Sequence, residues 1–372
     1  MKTTSFGVGS GGLSRRSVLA GGVSACALAA CGGGSGNDPE LPLGKYGATT
    51  LVTDTGTAGK KDTNLAGAWG VAFNPTAVVW VNNVNTQTST LYDGTGAVQT
   101  LVVTVPGGAR GVGRPTGIVF SGSTTDFTVS NGTTTAPARF IFASETGAIS
   151  GWASTVNGTN GILKVDNSAR GTVYKGLAIA AEAGVNRLYA ADFAGGKIDV
   201  FNGSYQPVTL AGNFANPNAV GGLAPHGIQN LGGTLYVTYA LRASNGVDFV
   251  SGVNQGLVSA FDLQGRLLRT VAYNDGRLDA PLGLALAPAN FGAVSGALLV
   301  GNAGSGRIKA FEPNAGTFLG ALAGADGNFL QIEGLRTFAF GNGFRSQPTN
   351  SLFYAASPNN GANGVYGAIT AL

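Results

Sequence analysis

Few side chains in this sequence could carry chemistry, and the only histidine, His226, is the first of them. It directly precedes a glycine that begins an apolar run, and similar glycines elsewhere define a first set of candidates: Trp69, Thr116, Lys175, His226, Leu282 and Glu333. A second set of polar residues follows later apolar runs: Asn82, Asn83, Glu145, Asp192, Asn302 and Ser357. An imidazole, an amine, carboxylates and amides at one place would suit ligand binding or acid–base catalysis.

Two interpretations of these residues stay open from the sequence. In the first, His226 and its neighbours bind a ligand or transfer protons, and Trp69 stacks against the ligand. In the second, the same residues are structural or only solvated. Asp192 then stabilises a turn, Lys175 pairs with Glu333, and Trp69 is an apolar plug.

The composition excludes several kinds of site. Two cysteines and one histidine cannot form a disulfide framework, a Cys-rich zinc site or a site with several imidazole ligands. A Gly-x-Ser-x-Gly nucleophile motif is absent, and the glycine pairs lack the strand–loop–helix context that binds phosphate. Oxygen donors would suit Ca²⁺, although Lys175 would repel a cation; the candidate ligands are Glu145, Asp192, Asn302 and Glu333.

The candidates recur because the chain itself is repetitive. Its 372 residues include 62 glycines, 44% hydrophobic residues and 11% charged residues, which is typical of a folded chain with many tight turns. A glycine followed by alternating apolar residues, as at 117–120, recurs about every 50 residues and is followed by further short strands. Four strands in each of six units predict an all-β, six-bladed β-propeller over residues 45–372. A β-solenoid is the structural alternative.

The last unit lacks a fourth strand, and residues 49–53 are predicted to supply it. A strand from the start of the domain would then close the last blade and remove its open edges. In a propeller, the starts of the inner strands and the ends of the second strands meet at one mouth of the central channel. Both sets of candidate residues are therefore predicted to line that mouth.

The blade pattern resembles NHL/TolB-like six-bladed propellers, in the stretches 115–120, 186–192 and 306–308. Nearly all of residues 50–372 also resemble a bacterial family of exported, uncharacterised propeller proteins. The stretches that carry this second resemblance are 65–71, 173–179, 188–193, 224–229, 280–288 and 298–302. The resemblance implies a fold and implies no reaction.

Residues 1–30 are interpreted as an export signal. Arg15 and Arg16, directly before the apolar run 18–30, resemble a twin-arginine signal, and 28–31 resembles the lipoprotein box in which Cys31 is acylated. Residues 31–44 are predicted to be a flexible tether. An ordinary cleaved signal with an incidental Cys31 is the alternative. Removal of the three basic residues in 1–30 lowers the net charge from +4 to about +1, which argues against nucleic-acid binding.

These inferences together predict a monomeric, lipid-anchored protein of the bacterial cell envelope. We expect it to bind a protein, a glycan or a small molecule at the channel mouth or through the loops 204–225 and 242–255. The alternative function is a calcium-assisted hydrolase or lyase that acts on a small molecule or glycan at the same mouth.

Overall fold

The computed structural model describes residues 40–372, which form 26 β-strands. The strands of the first half are β1 (Pro42–Thr53), β2 (Lys60–Lys61), β3 (Ala68–Phe73), β4 (Val79–Asn83), β5 (Thr88–Tyr92), β6 (Val98–Thr104), β7 (Pro115–Phe120), β8 (Thr128–Ser130), β9 (Thr135–Pro137), β10 (Phe140–Ser144), β11 (Ala148–Trp152), β12 (Ile162–Asp166) and β13 (Tyr174–Glu182). The strands of the second half are β14 (Val185–Asp192), β15 (Lys197–Asn202), β16 (Leu223–Leu231), β17 (Thr234–Leu241), β18 (Gly256–Phe261), β19 (Leu267–Tyr273), β20 (Pro281–Leu286), β21 (Leu298–Asn302), β22 (Ile308–Phe311), β23 (Phe318–Gly324), β24 (Leu335–Phe340), β25 (Ser351–Ala356) and β26 (Val365–Ala371). Short 3-10 helices lie at Thr63–Leu65, Gly108–Arg110, Ser168–Arg170 and Gly292–Val294. The prediction of an all-β chain is confirmed.

Successive strands pair antiparallel into consecutive groups. The strand orders are β3-β4-β5-β6, β12-β11-β10-β7, β13-β14-β15 and β16-β17-β18-β19, and the largest sheet runs β20-β21-β22-β23-β1-β26-β25-β24. The first strands of neighbouring groups contact each other in the order β3, β7, β13, β16, β20 and β24, and β24 returns to contact β3. These first strands therefore form a closed ring, with the later strands of each group outside it.

Neighbouring groups hold together through apolar side chains that alternate along the strands. Between the first two groups, the ring of Trp80 stacks on Phe140 with 4.2 Å between centroids and lies 4.8 Å from Trp152. All three are buried. Aromatic pairs of this kind contribute about 0.5–1.5 kcal/mol each beyond the burial of their area.

Strand β1 joins the two ends of the described chain. It pairs antiparallel with β26, from Tyr46 opposite Ala371 to Thr53 opposite Val365. Its start also pairs parallel with β23, where Pro42 lies opposite Ala321. The strand therefore begins well before residue 49, and the last residues of the predicted tether belong to it. The second pairing explains this earlier start, because β23 provides backbone hydrogen-bond partners for residues that the repeat pattern alone leaves unpaired.

Backbone crowding in the ring explains the glycines that begin the first strands. A Cβ atom on Gly70 would lie 2.1 Å from the carbonyl oxygen of Thr116, and one on Gly227 would lie 2.1 Å from that of Leu282. Both distances are far below a van der Waals contact, so any larger residue would push the strands apart. The close approach of these backbones leaves a channel cavity of only about 40 Å³ between the strands.

Candidate functional site

One mouth of the channel is built by a bulge repeated in the strands of the ring. In β13, Tyr174 lies opposite Asp192 and Gly176 lies opposite Ala191, so that Lys175 is an extra residue. In β16 the extra residue is His226, by the same pairing shift. Shifts at the same place occur in β3, β7, β20 and β24. A bulge re-aims the side chain of its extra residue; these residues are Trp69, Thr116, Lys175, His226, Leu282 and Arg336.

The sixth bulge residue is Arg336, where the sequence pattern predicted Glu333. The glycine next to Glu333, Gly334, precedes β24 and has a positive φ of 68°. In the ring itself, the place of the glycine is taken by Thr337, whose hydroxyl donates a hydrogen bond to the carbonyl oxygen of Trp69 at 2.5 Å. Glu333 is exposed and accepts a hydrogen bond from the backbone N–H of Asn359.

A cavity of about 160 Å³ lies at this mouth. Its walls combine aromatic and charged side chains: Trp69, Arg114, Glu145, Lys175, Phe249 and Arg336, with Asp248 at the rim. The structure therefore brings Trp69, Lys175, Glu145 and Ser357 of the predicted sets together. Phe249 reaches the cavity from the predicted contact loop 242–255.

Glu145 is the centre of a buried ionic network. One of its oxygens accepts a hydrogen bond from Arg114 Nε at 2.7 Å, and the other pairs with Lys175 Nζ. The side chains of Lys175 and Glu145 are only 3% and 6% exposed. Burial opposes ionisation of Glu145, but the charges of Lys175 and Arg114 hold its pKa below the usual range. Burial lowers the pKa of Lys175, and Glu145 counteracts this shift. Lys175 thus pairs with Glu145 and not with Glu333.

Trp69 lies close to two cations. The guanidinium carbon of Arg336 lies 4.6 Å from the centre of the indole, and the ammonium of Lys175 lies 4.9 Å from it. Arg336 is also 5.7 Å from the ring of Phe249. Burial lowers the pKa of Arg336 to about 10, although Glu145 and Asp248 favour its charged form. Arg336 is therefore cationic at neutral pH and is packed against two aromatic rings.

His226 is fully buried beside the cavity rather than in its wall. Its Nδ1 lies 3.0 Å from the carbonyl oxygen of Pro281, and the rings of Phe193 and Phe249 are 5.2 and 5.4 Å away. Burial and the charge of Lys175 lower the pKa of His226 to about 3. The imidazole is thus neutral at pH 7 and donates from Nδ1. The Nδ1 contact fits the structural interpretation of His226, while its Nε2 has no hydrogen-bond partner among residues 40–372.

The remaining candidates from the second set serve local structure. Asp192 accepts hydrogen bonds from the backbone N–H groups of Val173 and Gly195 at 3.1 and 2.9 Å, which is the turn-stabilising role. Asn302 donates to the carbonyl oxygen of Arg277 at 2.8 Å. Three further side chains tie strands together through hydrogen bonds: Asn82, Asn83 and Ser357.

The donors proposed for Ca²⁺ are engaged in different ways. Glu145 pairs with two cations, Asp192 caps a turn, Asn302 donates to a backbone carbonyl and Glu333 accepts from an exposed backbone N–H. Within residues 40–372, no three His, Cys, Asp or Glu side chains cluster in a way that could hold a metal ion. Calcium binding stays a prediction, and these contacts give it no support.

Sequence reasoning missed Arg114, Phe249 and Arg336. Arg114 immediately precedes β7 and therefore lies beside a bulge, so its place in the repeat could have indicated it. Arg336 carried no glycine signal because Thr337 replaces the glycine. Phe249 lies in a loop, and the alternation of residues along strands does not predict where a loop side chain lies.

The chain is similar to known proteins in fold and in sequence. No family model matches the chain. A streptogramin B lyase structure covers 89% of this chain and 98% of its own, with a TM-score of 0.51 and 12% identity. A protein of unknown function from Bacteroides thetaiotaomicron covers 87% of this chain and 76% of its own, with a TM-score of 0.55 and 10% identity. Solved structures of similar fold are β-propeller-like, and at these identities they speak for the fold alone.

Sequence relatives come from Acanthamoeba polyphaga mimivirus. Uncharacterized protein R648 is 31% identical over 91% of this chain and 85% of its own length. Uncharacterized protein L690 is 29% identical over 75% of this chain and 74% of its own length. These relatives are viral, so the bacterial family implied by the resemblance stays a prediction. The chain belongs to the same protein family as mimivirus protein R648.

Proposed function

We propose that this chain is a six-bladed β-propeller that acts as a binding module, with the ligand held at the mouth formed by the bulges. The closed ring of first strands supports the count of blades, with β1 as the outer strand of the last blade. One observation carries the function: the bulges gather aromatic and charged side chains around a cavity of about 160 Å³. Ligand sites combine apolar walls with a few converging polar groups in this way.

The same geometry supports binding over catalysis. The carboxylate of Glu145 is neutralised by Lys175 and Arg114, so it is not a free base. His226 does not line the cavity. The hydrolase or lyase alternative therefore gains no support from the groups that would have to perform it.

A defined panel of small molecules tests this function by native mass spectrometry of the full chain. The panel contains organic acids, neutral sugars, amines and nucleosides. We expect at least one member to bind without being converted, and Trp69→Leu to weaken this binding about tenfold, because loss of an aromatic contact costs roughly 1 kcal/mol or more.

The matched control for the panel is Trp152→Leu, because Trp152 lies in the core between the first two groups, away from the mouth. Cooperative unfolding of both variants checks their folding. Binding that is equal in wild type and folded Trp69→Leu would contradict a site at the mouth. Turnover of a panel member would contradict a binding module.

We also propose that the protein is exported and anchored in the cell envelope through a lipid on Cys31. Cys31, Arg15 and Arg16 lie outside the described residues, and the sequence motifs support this proposal alone. Residues 40–372 contain no helix that is long and apolar enough to cross a bilayer.

The mass of the mature protein tests the anchor. We expect a polypeptide that begins at an acylated Cys31, and an N-terminus at another residue or an unmodified Cys31 would contradict the proposal. Cys31→Ser is the matched variant, since it preserves the size of the residue and removes the thiol that acylation requires. Its product should leave the membrane fraction.

A further inference from the structure

Two buried hydrogen-bond donors at the mouth have no acceptor among residues 40–372. They are the indole Nε1–H of Trp69 and the Nε–H of Arg336. Both residues line the cavity of about 160 Å³, and the side chain of Trp69 is more than nine-tenths buried. A buried donor without an acceptor destabilises the folded state, so the folded chain keeps these groups at the expense of stability.

The chemistry of the two side chains limits the kind of ligand that fits this mouth. Indole and guanidinium groups can only donate hydrogen bonds. A partner must therefore bring acceptors, and the fork of a guanidinium matches the two oxygens of a carboxylate.

The charge of the side chains that line the cavity also favours a carboxylate as the partner. Among the described residues, no carboxylate oxygen lies within 4 Å of the Arg336 guanidinium, whereas Arg114 and Lys175 share Glu145. With Asp248 at the rim, the side chains lining the cavity comprise three cations and two anions. The lining therefore carries one excess positive charge, and Arg336 is its cation without an ion pair among the described residues.

We propose that the mouth binds a small organic carboxylate, whose oxygens accept hydrogen bonds from the guanidinium of Arg336 while its apolar part contacts Trp69 and Phe249. This inference rests on the proposed binding function and adds the class of ligand. The carboxylate can belong to a free organic acid or to an acidic side chain of a partner.

Benzoate and benzamide test the proposal, because they have the same size and shape and differ in charge and in acceptor oxygens. Calorimetric titration of the full chain is expected to show saturable binding of benzoate and at least tenfold weaker binding of benzamide. Binding of benzoate should also change tryptophan fluorescence in wild type, and Trp69→Phe should remove this change, since the other tryptophans, Trp80 and Trp152, lie in a separate core cluster.

Variants of Arg336 test the role of the guanidinium. Arg336→Met keeps an unbranched apolar stem, and we expect it to weaken benzoate binding about tenfold to a hundredfold, the range for a lost charged hydrogen bond. Arg336→Lys keeps the positive charge without the forked guanidinium. Its affinity for benzoate should lie between those of wild type and Arg336→Met. The matched control is Arg345→Met, because Arg345 is exposed and lies 5.6 Å from an aromatic ring, that of Phe344. This control should bind benzoate as wild type does.

These experiments test the class of ligand and the proposed binding function separately. Equal binding of benzoate and benzamide, or unchanged benzoate binding in a folded Arg336→Met variant, overturns the carboxylate proposal. If a neutral panel member then binds in a Trp69-dependent way, the binding function stands without this class. If no compound binds at the mouth, both proposals fail.

A peptide pair identifies the source of the carboxylate. The capped tripeptide Gly-Glu-Gly is titrated against the same peptide with Gln in place of Glu. Tighter binding of the Glu peptide than of benzoate supports a protein partner, and tighter binding of benzoate supports a free organic acid. Equal binding of the Glu and Gln peptides, together with equal binding of benzoate and benzamide, overturns the proposal.

Discussion

Replacement of Glu145 by Gln is expected to lower the free energy of unfolding by about 3–5 kcal/mol, the usual loss when one partner of a buried ion pair is removed. The substitution leaves the ammonium of Lys175 buried without a carboxylate, in a wall that also contains Arg336. The amide of Gln preserves the size of the side chain, so little of the loss would come from packing. Denaturant unfolding of the full chain at pH 7 measures the effect.

The double variant Glu145→Gln/Lys175→Met is the control for this prediction. It removes the stranded charge and should recover most of the stability, because apolar residues often replace a buried ion pair without loss. The free energy of unfolding of Glu145→Gln should also rise as the pH approaches 10. A buried Lys with a lowered pKa loses its proton more readily in the folded chain than in the unfolded chain, so its deprotonation favours folding. A single variant that loses less than about 1 kcal/mol would show that the network is solvated.

The sequence predicted the parts of the fold that depend on strand period and on backbone crowding. Alternating apolar residues predict strands, and glycine at the ring positions follows from the close approach of backbones, as at Gly70 and Gly227. The strand that joins the two ends was also predictable, because the last unit lacks a partner. Its start at Pro42 was not, because the parallel pairing with β23 leaves no local signal.

The candidate site was predictable only where a glycine marked the position. Trp69, Lys175 and His226 each precede such a glycine, and the structure places all three at bulges. In the last unit, the prediction followed Gly334 and therefore pointed to Glu333. The position that glycine takes in the other first strands is occupied here by Thr337, whose hydroxyl donates a hydrogen bond to the carbonyl oxygen of Trp69. The partner of Lys175 could not be predicted either, because Glu145 approaches it from another group of strands.

The stability of the protein is expected to fall by about 2–3 kcal/mol between pH 7.5 and 4.5 through His226 alone. Its pKa is about 3 in the folded chain, because the ring is buried beside the cations Lys175 and Arg336, and about 6.5 in the unfolded chain. Below pH 6.5 the unfolded chain therefore binds a proton that the folded chain does not, which costs about 1.4 kcal/mol of stability per pH unit. The loss continues until the pH approaches 3.

Denaturant unfolding of the full chain at several pH values between 7.5 and 4.5 measures this slope. His226→Asn is the matched variant, because its amide can still donate to the carbonyl oxygen of Pro281 but does not titrate. It should lose some stability at every pH and lack most of the slope. Since His226 is the only histidine, its NMR signal can be followed in wild type without other variants. A signal that titrates near pH 6.5 would contradict the buried, neutral imidazole and reopen a role for His226 at the mouth.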